Sequence, residues 1–178
     1  MAYIEANVSS WCYGESWEWT PWSQLIDTLF LSSTKIRNAL EEGDIVLANK
    51  YLGYEYFLTG TIIKGKQLGR TIGFPTANLK IEENYKLIPR NGVYIVSSII
   101  NNKTVFGMMN IGFNPTVNGE NQTIEIHFFD FEADLYHQKI TVSLLHRIRS
   151  EQKFDSVVLL KEQLEKDRNY AKAFLNKL

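Results

Sequence analysis

Val93-Tyr-Ile-Val-Ser-Ser-Ile-Ile100 is followed by Asn101-Asn102-Lys103 and then by Thr104-Val-Phe-Gly-Met-Met-Asn-Ile111. Two runs rich in β-branched and apolar residues flank a polar triplet suited to a tight turn, which predicts a β-hairpin. Four more runs of the same kind lie outward from it: Phe57–Lys64, Thr76–Ile81, Thr123–Phe129 and Gln138–Arg147. Each is bounded by Gly, Pro or Asn. Strands in succession without helices between them favour an antiparallel sheet closed on itself, so the expected class is mainly β, a six-stranded barrel.

The flanks change period. Ser32 or Ser33 can cap a helix over Thr34–Glu42 that Gly43 stops, and Asp44 can cap a second that runs to Leu52 before Gly53. Ile36, Leu40, Val46 and Leu47 are expected to form the buried side of this pair. Asp155 or Ser156 can cap a C-terminal helix with Val157, Leu160 and Leu164 on one face and Lys161, Glu162, Glu165 and Lys166 on the other. Residues 1–30 hold all four tryptophans, Trp11, Trp17, Trp19 and Trp22, without a sustained period. The organisation expected is therefore a Trp-rich leader over 1–30, a helical piece over 31–53 and a barrel domain over 54–178.

Composition narrows the function. The 178 residues are 44% apolar and 22% charged, with a net charge of −1. That balance lacks the basic footprint of a nucleic-acid binder. The one cysteine, Cys12, cannot form an internal disulfide. No run is long and apolar enough to span a bilayer, and the N-terminus lacks the pattern of a signal peptide. A cytoplasmic protein is expected, with no membrane and no nucleic-acid partner.

Gly60-Thr-Ile-Ile-Lys-Gly65-Lys66-Gln67 nearly matches the phosphate loop of P-loop nucleotidases. Gln67 stands where a Mg²⁺-binding hydroxyl is required, and the β-branched interior suits a strand, so this reading is rejected. The next segment carries more: Gly65, Gly69 and Gly73 recur with Lys66 and Arg70, glycines to bring backbone N–H groups close to phosphate and cations to offset its charge. A turn with solvated cations explains those residues equally well. Phe74-Pro75-Thr76-Ala77-Asn78 adds a hydroxyl and an amide oxygen two residues apart, on one face of a strand, a donor set suited to Mg²⁺. Their alternative role is to satisfy backbone groups at a strand start. In Thr123-Ile124-Glu125-Ile126-His127-Phe128, the apolar residues face the core and Glu125 faces out. There it can act as a general base, an effect of about 10²–10⁴ in rate, or simply form a cross-strand ion pair. His127 reads as a hydrogen-bonded surface residue.

Taken together these motifs resemble the riboflavin kinase family. The matching residues are Gly65-x₃-Gly69-Arg70-x₂-Gly73-Phe74-Pro75-Thr76-Ala77-Asn78, Asn91-Gly92-Val93-Tyr94, Ile111-Gly112-Phe113-Asn114-Pro115-Thr116, Glu125-Ile126-His127, Asp134-Leu135-Tyr136 and Arg147-Ile-Arg149-x₃-Lys153-Phe154-Asp155. They span Tyr54 to Leu175. The resemblance implies a six-stranded antiparallel Greek-key barrel with a C-terminal helix and a short helical N-terminal appendage. It implies transfer of the ATP γ-phosphoryl group to the 5′-hydroxyl of riboflavin, giving FMN and ADP. Under it, Thr76 and Asn78 hold Mg²⁺ and the ATP phosphates, while Gly65, Lys66, Gly69, Arg70 and Gly73 cover the phosphates. Glu125 is the base, and Arg147, Arg149 and Glu151 lie on the flavin side. Asn114, Pro115 and Thr116 shape the floor beneath the nucleotide.

Upstream, Leu31-Ser32-Ser33-Thr34-Lys35-Ile36-Arg37 with Glu41-Glu42-Gly43-Asp44 and Leu52-Gly53 resembles the tail of the FMN adenylyltransferase domain that precedes the kinase in bacterial bifunctional FAD synthetases. The Gly-x-Phe-Asp-Gly-x-His-x-Gly-His-type segment of that domain is absent, so adenylyl transfer is not expected. Two other readings stand beside the kinase: an inactive flavin- or nucleotide-binding fragment, and an interaction module in which the Trp-rich leader is a recognition peptide.

Overall fold

The computed structural model describes residues 33–178 apart from 66, 67, 84, 117, 118 and 132. The Trp-rich residues and Lys66 lie outside the described residues. In chain order the elements are α1 (Ser33–Glu42), α2 (Ile45–Leu52), β1 (Phe57–Ile63), α3 (Leu68–Thr71), β2 (Ala77–Lys80), β3 (Gly92–Ile100), β4 (Lys103–Thr116), β5 (Gly119–Phe128), β6 (Lys139–Arg149) and α4 (Val157–Leu175).

The six strands form a closed barrel in the order β1-β2-β5-β4-β3-β6, all neighbours antiparallel. The expected hairpin is β3–β4, and its turn residues Asn101 and Asn102 take positive φ (51° and 61°) as the Asn pair anticipates. β2 precedes β3 in the chain yet pairs with β1 and β5, the long-range step of a Greek key. Gly60 sits inside β1, opposite Ile140, and a Cβ there would run into the Lys80 backbone. Residues 60–63, the β-branched part of the near-match, are therefore strand, as those residues indicated.

Alternation along each strand builds two apolar layers. Leu58, Ile62, Leu79, Tyr94, Val96, Met109, Ile111, Ile124, Ile126, Val142 and Leu144 fill the barrel. Val93, Ile95, Met108 and Phe129 face outward and pack with Phe74 and with Ala171 of α4.

The α1–α2 pair closes one end of the barrel and belongs to its core, since Ala39, Leu40, Ile45 and Ala48 join the interior cluster. The Leu40 carbonyl accepts from Arg90 N at 3.0 Å, and the Asn49 side chain donates to Leu144 O (2.9 Å) and accepts from Tyr56 N (2.7 Å). The Asp44 cap accepts from Leu47 N at 3.0 Å, and Gly53 ends α2 in the left-handed region. Val46 departs from expectation: it is 54% exposed, and Ile45 and Ala48 take the buried face. Three consecutive apolar residues leave the helix phase ambiguous, and packing on the barrel chose the other one.

In α4 Leu164 packs on the outer cluster as expected, and Asp167 and Ala171 continue that face as its buried positions; Val157, in the first turn, departs and is 53% exposed. Ser156 is the cap, accepting from Leu159 N at 3.2 Å.

Candidate functional site

Glu125 stands on the outer face of β5, between the inward Ile124 and Ile126. In register it faces Asn78 of β2 on one side and Asn110 of β4 on the other. Thr76, one residue before β2, donates its hydroxyl to Glu125 Oε2 at 3.3 Å. Three strands thus set a hydroxyl, two amides and a carboxylate side by side, all half-buried. Asn110 was not anticipated. Its signal was a polar residue inside the apolar run of β4, on the face opposite Met109 and Ile111.

From Leu68 onward the glycine segment is folded on itself. Leu68–Thr71 form one helical turn, and Gly69 O accepts from both Ile72 N (3.2 Å) and Phe74 N (2.8 Å). Gly73 follows at φ +84°, a conformation that favours glycine. A Cβ on Gly65 would overlap the Asn78 carboxamide, and one on Gly69 would press on the Phe74 carbonyl and touch the Thr76 methyl at 3.4 Å. These two glycines make room for the pair Thr76 and Asn78. Arg70 is exposed at the rim of a cleft of about 700 Å³ that Pro75, Thr76, Phe131 and Tyr136 also line.

His127 is half-buried rather than a plain surface residue. Its ring packs 5.1 Å from Phe74 and 5.9 Å from Phe129, and Nδ1–H donates to the Pro75 carbonyl at 2.9 Å. That bond holds the backbone just before Thr76. Burial pushes the imidazole pKa down, with the Pro75 bond opposing and Arg168 assisting.

The three residues expected on the flavin side part company. Glu151 is exposed, accepting from Phe113 N and Asn91 Nδ2 at 3.1 Å each. Arg149 is committed to a two-pronged bond with the buried Asp167 (Nε to Oδ2 2.9 Å, Nη2 to Oδ2 2.8 Å), which also accepts from Gln163. Arg147 lies at the barrel end beneath the α1–α2 junction, donating to the Asn91 carbonyl at 2.8 Å.

Among the described residues no group of three or more His, Cys, Asp or Glu gathers to cage a metal. What the row offers is oxygen: the Thr76 hydroxyl keeps its lone pairs while donating to Glu125, and Asn78 carries an amide oxygen. That set fits Mg²⁺, which takes few protein ligands and completes its shell with phosphate and water.

Fold and site define a small barrel with an oxygen-lined row outside its core, beside a glycine turn and a cleft. The family profile described as "Flavokinase: Riboflavin kinase" matches residues 52–175. The chain belongs to the riboflavin kinase family. It is 45% identical over 152 residues to the bifunctional riboflavin kinase/FMN adenylyltransferase of Haemophilus influenzae, covering 85% of this chain and 49% of that one. The Bacillus subtilis protein of the same name is 42% identical over 151 residues, covering 83% and 48%. The chain therefore spans about half the length of these relatives. A crystal structure described as a macrolide-efflux protein from Streptococcus pneumoniae superposes with a TM-score of 0.75 at 39% identity, covering 80% of this chain and 46% of that one. In the present chain no helix among the described residues is long and apolar enough to cross a membrane.

Proposed function

We propose that this chain transfers the γ-phosphoryl group of ATP to the 5′-hydroxyl of riboflavin, giving FMN and ADP. The observation that carries the reading is the register of Asn78 against Glu125 with the Thr76 hydroxyl on the same carboxylate at 3.3 Å. Family membership supplies the substrate class.

Glu125 accepts the proton of the riboflavin hydroxyl as its oxygen bonds to phosphorus and the bond to the ADP oxygen breaks. Thr76 and Asn78 hold the phosphates and Mg²⁺. Mg²⁺ held by Thr76 and Asn78 would supply positive charge to offset that of the phosphates. Gly65, Lys66, Gly69, Arg70 and Gly73 cover the phosphate chain, with Gly65 and Gly69 keeping side-chain bulk away from Asn78 and Thr76. The nucleoside occupies the cleft lined by Phe131 and Tyr136, behind the glycine turn. The flavin lies on the outer face beyond Glu125, where Glu151 and the exposed Phe113 stand. Arg149 contributes to that side by fixing α4 through Asp167.

We infer no adenylyl transfer by these 178 residues, because the phosphate-handling histidine segment of that activity is not among them. Because the proposed reaction consumes ATP, we assign the activity to the cytoplasm. Incubation with riboflavin, ATP and Mg²⁺ should yield FMN on chromatography. Binding of both substrates with no FMN under any divalent metal would favour the inactive-fragment reading. Formation of FAD from added FMN and ATP would overturn the inference about adenylyl transfer.

A further inference from the structure

Arg147 joins segments that are far apart in the chain. Its side chain lies between two glycines: a Cβ on Gly43 would come within 2.8 Å of Arg147 Cδ and Nε, and a Cβ on Gly92 within 2.9 Å of Nε. One nitrogen, Nη2, donates to the Asn91 carbonyl at 2.8 Å and to the Ser150 hydroxyl at 3.2 Å. Asn91 passes the connection on, its Nδ2 donating to Glu151 Oε2 at 3.1 Å while its Oδ1 accepts from Gln122 Nε2 at 3.1 Å. The other Glu151 oxygen accepts from Phe113 N and lies over Gly112, where a Cβ would meet both Glu151 and, at 3.3 Å, Asn110 Nδ2. Asn110 is the residue opposite Glu125.

The slot is built for a planar guanidinium. Its flat end lies against two positions without a Cβ, and the two N–H groups of Nη2 point to two acceptors at once. The arrangement leaves Arg147 Nε buried without a hydrogen-bond partner among the described residues.

We propose that Arg147 is a positioning residue for the acceptor side of the site: through Asn91 and Ser150 it fixes the Glu151 carboxylate beside the Asn110–Glu125 row, and so sets affinity for riboflavin. This rests on the kinase reading above and changes the part expected of Arg147 from touching flavin to holding the residue that does.

The test measures FMN formation with riboflavin and ATP varied separately, riboflavin binding by fluorescence quenching, and melting temperature, for wild type, Arg147→Lys, Glu151→Gln and the double variant. Lysine keeps the charge and loses the fork. Arg147→Lys should raise riboflavin KM and Kd by about ten- to a hundredfold, the scale of a small misplacement at a reacting centre. ATP KM should stay within about twofold, and the double variant should be no worse than the worse single variant, since residues on one route do not add. Unchanged riboflavin KM, a parallel rise in both KM values, or multiplicative effects in the double variant would overturn the proposal. If Arg147→Lys does not fold, Ser150→Ala, at an exposed position, removes one of the two acceptors. It should give the same split in smaller size, and wild-type constants there would equally overturn it. A wild-type protein that forms no FMN removes the kinase reading and this proposal with it; one that forms FMN while Arg147→Lys behaves like wild type removes only this proposal.

Discussion

At the scale of single residues, the site is a set of short reaches across one face. Glu125→Gln keeps the size and hydrogen-bonding of the side chain and removes its basicity. It should lower kcat by about 10²–10⁴ while ATP still binds, as read by single-turnover assays and calorimetry. Gly65→Ala is a different probe: the added methyl overlaps the Asn78 carboxamide. It should leave melting nearly unchanged, raise KM for ATP and lower kcat, and an unaffected enzyme would separate Asn78 from the phosphates. His127 gives a pH signature. Its folded pKa lies below the usual 6.5, mainly through burial. The folded state then binds fewer protons than the unfolded one, so stability is fully present above about pH 6.5 and declines as pH falls through the depressed folded value. Melting curves from pH 7.5 to 5 should show this decline, and His127→Gln should flatten it.

At the scale of elements, α4 is held by charge as well as by apolar contact. Arg149 and Asp167 are 16% and 2% exposed, and removing one partner leaves the other buried and unpaired. Asp167→Ala should cost about 3–5 kcal/mol, read by denaturant unfolding. The strands themselves were legible from sequence because alternation and turn residues agreed, as in Val93–Ile111. The apolar stripe of α4 was legible as well, since Leu164 packs on the outer cluster and Ala171 continues its face, but the aspartate on that face was not, because its partner lies on β6 and apolar periodicity is blind to such a pair. The glycine segment hid a helical turn for a related reason: glycine has low helix propensity, yet Gly69 sits where the Phe74 carbonyl leaves no space for a Cβ. Thr76, Asn78 and Glu125 could be named from motif and strand parity. That Asn110 completes their row required the register of β4 against β5, which no local pattern encodes.

At the scale of the whole molecule, the α1–α2 pair is part of the barrel's interior rather than an appendage. Leu40 and Ile45 are 2% and 1% exposed. Each contributes about 1.5–3 kcal/mol by burial, against a net stability of roughly 5–15 kcal/mol for a typical domain. A chain starting at residue 54 should therefore melt far lower than one starting at residue 31, or fail to fold, as circular dichroism would show. The barrel is also unevenly sewn. β2 meets β5 through Ala77–Ile126 and Asn78–Glu125, whereas β4 and β5 stay paired from Gly107–Phe128 to Thr116–Gly119. The short seam is the one flanked by Thr76, Asn78 and Glu125. If the wall breathes, it parts there first, and the amides of residues 77–80 should exchange with deuterium sooner than those of β3. Bound nucleotide, by bridging the two lips of the seam, should slow that exchange selectively, so occupancy of the site would be readable as a local tightening of the barrel.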